Sequence, residues 1–130
     1  MLELSTKYAI KALLHLANQE DGMYVQVQTL SKLADIPGPY LSKLVKILAR
    51  KGIVDSKRGS QGGIRFSGKK KRISFLDICI ALEDPILSQG CFLSKRPCNS
   101  KSPCVMHKDW SEIRDQLKTF LDQKEILKNY

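Results

Sequence analysis

No run of roughly 18 or more apolar residues occurs in the chain, which excludes a membrane-spanning helix. The opening MLELSTKYAIK lacks a basic start, an apolar block and a small-residue cleavage site. No signal peptide is read there, and a cytoplasmic protein without a membrane partner is expected. Catalytic groupings are missing too. No nucleophile stands with a base and no glycine-rich phosphate loop is found, so the chain is not expected to be an enzyme. Acidic residues are scarce in one half only. Residues 1–72 hold 14 Lys and Arg against 5 Asp and Glu, whereas residues 73–130 hold 8 of each. The whole formal charge of +9 therefore belongs to the first half. Nucleic acid is the common polyanion that such a half attracts; a solubility surface is the other reading of charge alone. At 42% hydrophobic and 27% charged, the 130-residue chain is globular, sized for one domain or one domain with an extra helix.

Ser5 is read as the N-cap of a first helix over residues 6–19, with Tyr8, Ala9, Ala12, Leu13 and Leu16 at helical spacing. His15 within it reads as structural. A second helix is expected over 27–34, with Leu30 and Leu33 facing inward. Asp35-Ile36-Pro37-Gly38 is a tight break, and a third helix follows over about 39–50. Pro39 suits its first turn, Leu41, Leu44, Val45 and Leu48 form its buried stripe, and Gly52 closes it. Two short helices joined by a tight turn fit a helix-turn-helix, with the third helix as the recognition helix. Its outward residues are Tyr40, Ser42, Lys43, Lys46 and Arg50, whose hydroxyl and cationic groups suit base edges and phosphates. An ordinary solvated face would look the same in isolation. What comes next is more specific. Residues 53–56 read as a strand, Lys57 to Gly63 as a glycine-rich turn, and Ile64-Arg65-Phe66 as the returning strand. Such a hairpin is a wing, with Arg58, Gly59, Ser60 and Gln61 at its tip and Arg58 suited to a narrow minor groove. Its glycines would permit close approach to the sugar-phosphate edge. Lys69-Lys70-Lys71-Arg72 adds a basic run behind it.

In the second half, Ser74-Phe75-Leu76-Asp77 reads as a capping box opening a helix to about Glu83, with Pro85 as its stop. Cys79 falls on that helix's apolar face and reads as a core residue. The other three cysteines lie in an aperiodic stretch with the spacing Cys91-x6-Cys98-x5-Cys104-x2-His107. Cytosolic cysteines clustered in a loop point to metal more often than to disulfides. The spacing is not the paired Cys-x2-Cys usual for structural zinc. Thiolates suit an iron–sulfur cluster, zinc or copper(I), and Lys95, Arg96 and Lys101 would stabilise them. A final helix is expected from about residue 103 or 105 to 124, with Trp110, Ile113, Leu117, Phe120 and Leu121 as its apolar stripe. A domain this small cannot easily cover such a stripe, so it is expected to meet its two-fold mate.

The segment PYLSKLVKILARKGIVDSKRGSQGGIRFS resembles the recognition helix and wing of the IscR/NsrR group, the Rrf-two family of bacterial transcription regulators. Tyr40 matches the aromatic that opens the helix, and residues 58–63 match the Arg-Gly-x-x-Gly-Gly wing. The resemblance covers nearly the whole chain. It implies a fold that is mainly α with a small β-hairpin, a winged helix-turn-helix over 1–72, then a cysteine loop and a long C-terminal dimerisation helix over 73–130. It also implies an iron–sulfur cluster on Cys91, Cys98 and Cys104. In IscR-like members the fourth ligand is a histidine three residues after the last cysteine, where His107 stands. In NsrR-like members it is an acidic residue near the N-terminus of the other subunit, and the matching position here is near Lys7, which cannot serve. A 2Fe–2S cluster is therefore favoured over 4Fe–4S, although the first spacer is one residue longer than the usual five. The implied function is a homodimeric regulator that binds a near-palindromic operator in double-stranded DNA and senses iron–sulfur status, redox change or nitric oxide. A thiol-redox or zinc-dependent regulator stands as the alternative, and an iron–sulfur electron carrier as one of another class.

Overall fold

The computed structural model describes residues 2–20, 22–88, 90, 92, 93, 96, 99 and 101–128. Helix α1 (Leu4–Ala17) buries Ala9, Ile10, Ala12, Leu13 and Leu16. It starts before the expected Ser5 cap and ends before Gln19. Glu3 holds the N-cap position without a side-chain cap, and its backbone N–H donates to the Asp84 carboxylate at 2.9 Å. A partner 81 residues away, not a local hydroxyl, sets where this helix begins.

Helix α2 (Val27–Ala34) has the expected bounds. Leu30 is fully buried, but Leu33 is 48% exposed and Ala34 takes the inward place. Positions four apart lie closer on a helix face than positions three apart, and the core touches α2 on that side. Asp35 ends it in the left-handed conformation at φ 55°. Helix α3 (Gly38–Arg50) carries Pro39 in its first turn and buries Leu41, Leu44, Val45 and Leu48, as expected. Gly52, at φ 75°, turns the chain out of it.

Strands β1 (Val54–Lys57) and β2 (Gly63–Phe66) pair antiparallel, with Val54 opposite Phe66 and Lys57 opposite Gly63. The wing is thus a hairpin with a five-residue turn, residues 58–62. Strand β3 (Arg72–Ser74) leads into α4 (Phe75–Ala81). The capping box is present: the Ser74 hydroxyl accepts from Asp77 N at 3.2 Å, and the Asp77 carboxylate accepts from Ser74 N at 2.8 Å. Ser74 is fully buried, so Ser74→Ala leaves an amide without its partner. That change is expected to cost about 1–2 kcal/mol, read as a fall of about 3–10 °C in a circular-dichroism melt.

Helix α4 is shorter than expected, and Pro85 is not its stop. Glu83 turns left-handed at φ 53°, and Asp84 then caps a 3-10 turn at Pro85–Leu87 by accepting from Ile86 N at 2.9 Å. Helix α5 (His107–Gln123) begins two to four residues later than expected. It is followed by a strand the periodicity did not announce, β4 (Glu125–Lys128), antiparallel to β3. Arg72 secures this return: it bonds the carboxylates of Asp122 at 3.2 Å and Glu125 at 2.7 Å, and the Asp122 carbonyl. Arg72, though exposed like Lys69, Lys70 and Lys71, is therefore engaged in this clasp. Ile73, Ile78, Ala81 and Ile126 join Leu13, Leu30, Leu41, Leu48 and Ile64 in one hydrophobic core.

Candidate nucleic-acid interface

The α3 residues singled out from the sequence, Tyr40, Ser42, Lys43, Lys46 and Arg50, are all exposed and share the face opposite the buried leucines. Tyr40 has a second task. Its ring meets Tyr8 of α1 edge-on, with centroids 5.5 Å apart, a geometry that favours aromatic pairs. Lys11 lies 6.0 Å from the Tyr8 centroid and adds a cation to the same corner. The first exposed ring of the recognition helix is thus propped by α1.

Arg58, Gly59, Ser60 and Gln61 are exposed at the wing turn. The glycines divide by purpose. A Cβ on Gly59 would meet nothing within 4 Å, so its value is the conformation at φ 99°. A Cβ on Gly62 would fall 2.1 Å from the Lys57 carbonyl oxygen, and one on Gly63 would fall 2.1 Å from the Val25 carbonyl oxygen. At these two positions the close approach is to the protein's own backbone.

That second contact belongs to a feature the sequence did not disclose. Val25 and Ile64 exchange two backbone hydrogen bonds of 2.8 Å, so residues 24–26 run beside β2. Tyr24 covers the outer wing, with Arg65 at 4.4 Å and Lys57 at 5.6 Å from its ring centroid. Gln26 Nε2 donates to the Ser60 carbonyl at 2.8 Å. Each partner is about 30 to 40 residues distant in sequence, and no motif links them.

Of the four expected metal ligands, Cys91 and Cys98 lie outside the described residues. Cys104 and His107 are half-buried and one turn apart where α5 begins, and the His107 backbone N–H donates to the Cys104 carbonyl at 3.1 Å. A cysteine and a histidine are donor types that suit an iron–sulfur or zinc site. Among the described residues, no three His, Cys, Asp or Glu side chains gather as for a metal. Trp110 ties the loop to α5: its indole N–H donates to the Gly90 carbonyl at 3.2 Å, and its ring lies 5.4 Å from that of Phe92. These partners flank Cys91 in sequence. Cys79, by contrast, is fully buried in α4, as its spacing implied. Burial, and then the Asp84 charge, push its thiol up to about 11.

Two of the five residues of the α5 stripe lie open. Leu121 is buried, but Ile113 and Phe120 are more than half exposed. They line an apolar cavity of about 1060 Å³ together with Phe75, Ile86, Phe92 and Trp110. No described helix is long and apolar enough to cross a membrane.

The model of the Rrf2 family, described as an iron-dependent transcriptional regulator, matches residues 2–128. The chain is 31% identical to the HTH-type transcriptional regulator IscR of Cereibacter sphaeroides, across 98% of this chain and 88% of that one. Among solved structures, CymR, the global cysteine regulator of B. subtilis, shares the fold at a TM-score of 0.77 and 24% identity, covering 97% of this chain and 92% of that chain. T. potens IscR does so at 0.73 and 20%, covering 97% and 82%.

Proposed function

The chain belongs to the Rrf2 family of transcription regulators, and from that premise we propose that its grip on double-stranded DNA is set by an iron–sulfur cluster held at Cys91, Cys98, Cys104 and His107. The observation that carries this reading is the placement of Cys104 and His107 one turn apart at the start of α5. The iron-dependent description of the family and the IscR relative support iron. When bound, the cluster supplies a centre sensitive to iron supply, redox change and nitric oxide. The protein's own residues do the rest. Trp110 fastens the loop to α5. Arg72 fastens the far end of α5 to the strand that follows the exposed lysines. The α5 stripe meets a second copy of the chain, which sets the spacing of two recognition helices and calls for a near-palindromic operator of two half-sites. On this reading residues 1–72 hold DNA, and residues 73–130 decide when they do. The cluster is 2Fe–2S, the histidine-ligated form that the resemblance favours.

A regulator using the same cysteines as a thiol switch or zinc site is the second reading, favoured by the likeness to a cysteine regulator. Anaerobic purification followed by metal and sulfide analysis separates them. The expected result is iron and acid-labile sulfide in equal amounts, a visible absorbance band, and a DNA affinity that differs between loaded and metal-free protein. Zinc without visible absorbance, or an affinity that follows oxidant alone, overturns the cluster. A cluster that leaves DNA affinity unchanged points to an electron carrier instead.

A further inference from the structure

Three consecutive residues hold the wing from three directions. Tyr24 covers its outer face through the Arg65 and Lys57 cations. Val25 extends its sheet through two backbone bonds to Ile64. Gln26 reaches its turn at the Ser60 carbonyl. Gln26 sits at the N-cap of α2, where a side chain ordinarily serves the helix's own amides, yet it makes no cap bond. Arg65 is further fixed by the Asp55 carboxylate at 3.8 Å and the Gly22 carbonyl at 3.3 Å. The helix-turn-helix is therefore joined to the wing at both the base and the tip of the hairpin.

We propose that Tyr24 and Gln26 are positioning residues for DNA binding: they hold the wing turn at a set height beside α3, so that Arg58 meets the duplex already ordered. Neither residue needs to touch DNA. A hairpin with a five-residue turn, exposed from Arg58 to Gln61, and three glycines at 59, 62 and 63 has much conformational freedom to lose on binding. A clamp that removes it beforehand strengthens binding without adding a contact. Tyr24 is suited to this because a ring face holds two cations at once, and Gln26 because its amide spans the gap from α2 to the turn. The proposal rests on the wing gripping DNA, and the test keeps the two ideas apart.

The probe is a duplex selected by the wild-type chain from a random-sequence pool, titrated at several salt concentrations with the full-length protein. Arg58→Ala is expected to weaken binding and to lower the salt slope by about one phosphate contact. Tyr24→Leu and Gln26→Ala are each expected to weaken binding about three- to tenfold, while Tyr24→Phe, which keeps the ring, stays within about twofold of wild type. The decisive readout is a double-mutant cycle. In the Arg58→Ala background, Tyr24→Leu and Gln26→Ala are expected to cost less than about twofold, since the cation that the clamp places is gone. Gln26 is exposed, so its variant keeps the test open should Tyr24→Leu fold poorly. Equal losses in both backgrounds, or a Tyr24→Phe as weak as Tyr24→Leu, overturn the clamp alone. No loss on Arg58→Ala overturns the wing reading beneath it.

Discussion

Gly63→Ala is expected to weaken specific DNA binding by more than about tenfold while leaving α1–α3 folded. The residue sits at φ 133°, a region that L side chains rarely enter. Strain of that kind costs on the order of 1–3 kcal/mol before any collision is counted. The collision is worse than the strain. The new methyl would lie 2.1 Å from the Val25 carbonyl oxygen, 2.4 Å from its carbonyl carbon and 2.7 Å from Gln26 N. All three are backbone atoms on a paired segment, so no rotamer change relieves them. The two Val25–Ile64 bonds must part, and the hairpin swings away from residues 24–26. A melting temperature lower by several degrees and a DNA affinity reduced by more than about tenfold are expected, read by circular dichroism and by titration of a selected duplex. Gly59→Ala is the contrast. It meets the same φ problem at 99° but open space, so its loss is limited to that strain of about 1–3 kcal/mol. Equal effects at the two positions would refute the internal-contact account of Gly63.

The second large effect is expected at Cys104, set against Cys79. Cys104→Ser removes the soft donor proposed as a ligand beside the start of α5. It is expected to lower retained iron by more than about tenfold, since even outer-shell partners of metal ligands carry that much. It should also erase any difference in DNA affinity between iron-loaded and chelator-treated protein. Cys79→Ser changes a thiol that is fully buried in α4 and that burial, and then the Asp84 charge, push up to about 11. It is expected to cost about 1–3 kcal/mol in stability and to leave the iron content untouched. Anaerobic iron analysis and a melt on both variants check the pair. Iron retained by Cys104→Ser would remove this cysteine from the ligand set.

Local pattern carried the reading of α3 and of the cap on α4. Leu41, Leu44, Val45 and Leu48 mark one helix face, and α3 buries those four. Ser74 and Asp77 announce a cap, and both of its bonds form. What stayed hidden depends on distant partners. Strand β4 is four residues that follow a helix with no turn signal, and only β3 makes them a strand. Arg72 read as part of a basic run because Asp122 and Glu125 lie some 50 residues on. Tyr24 and Gln26 belong to no motif, and their roles exist only once β2 is beside them. The cysteine spacing was plain in the chain, but two of its members fall outside the described residues.

The Arg72 clasp also makes α5 a lever. Its C-terminal end is sutured to the body by paired strands and two carboxylates, while its N-terminal end adjoins the cysteine loop. A helix of 17 residues spans about 25 Å. With one end acting as a fulcrum, a tilt of only about 5° carries the other through roughly 2 Å, comparable to the helix shifts that switch subunit interfaces. On the proposed function, a cysteine-loop rearrangement that moved the free end of α5 by that much would turn the helix about the Arg72 clasp, along the face proposed to meet a second copy.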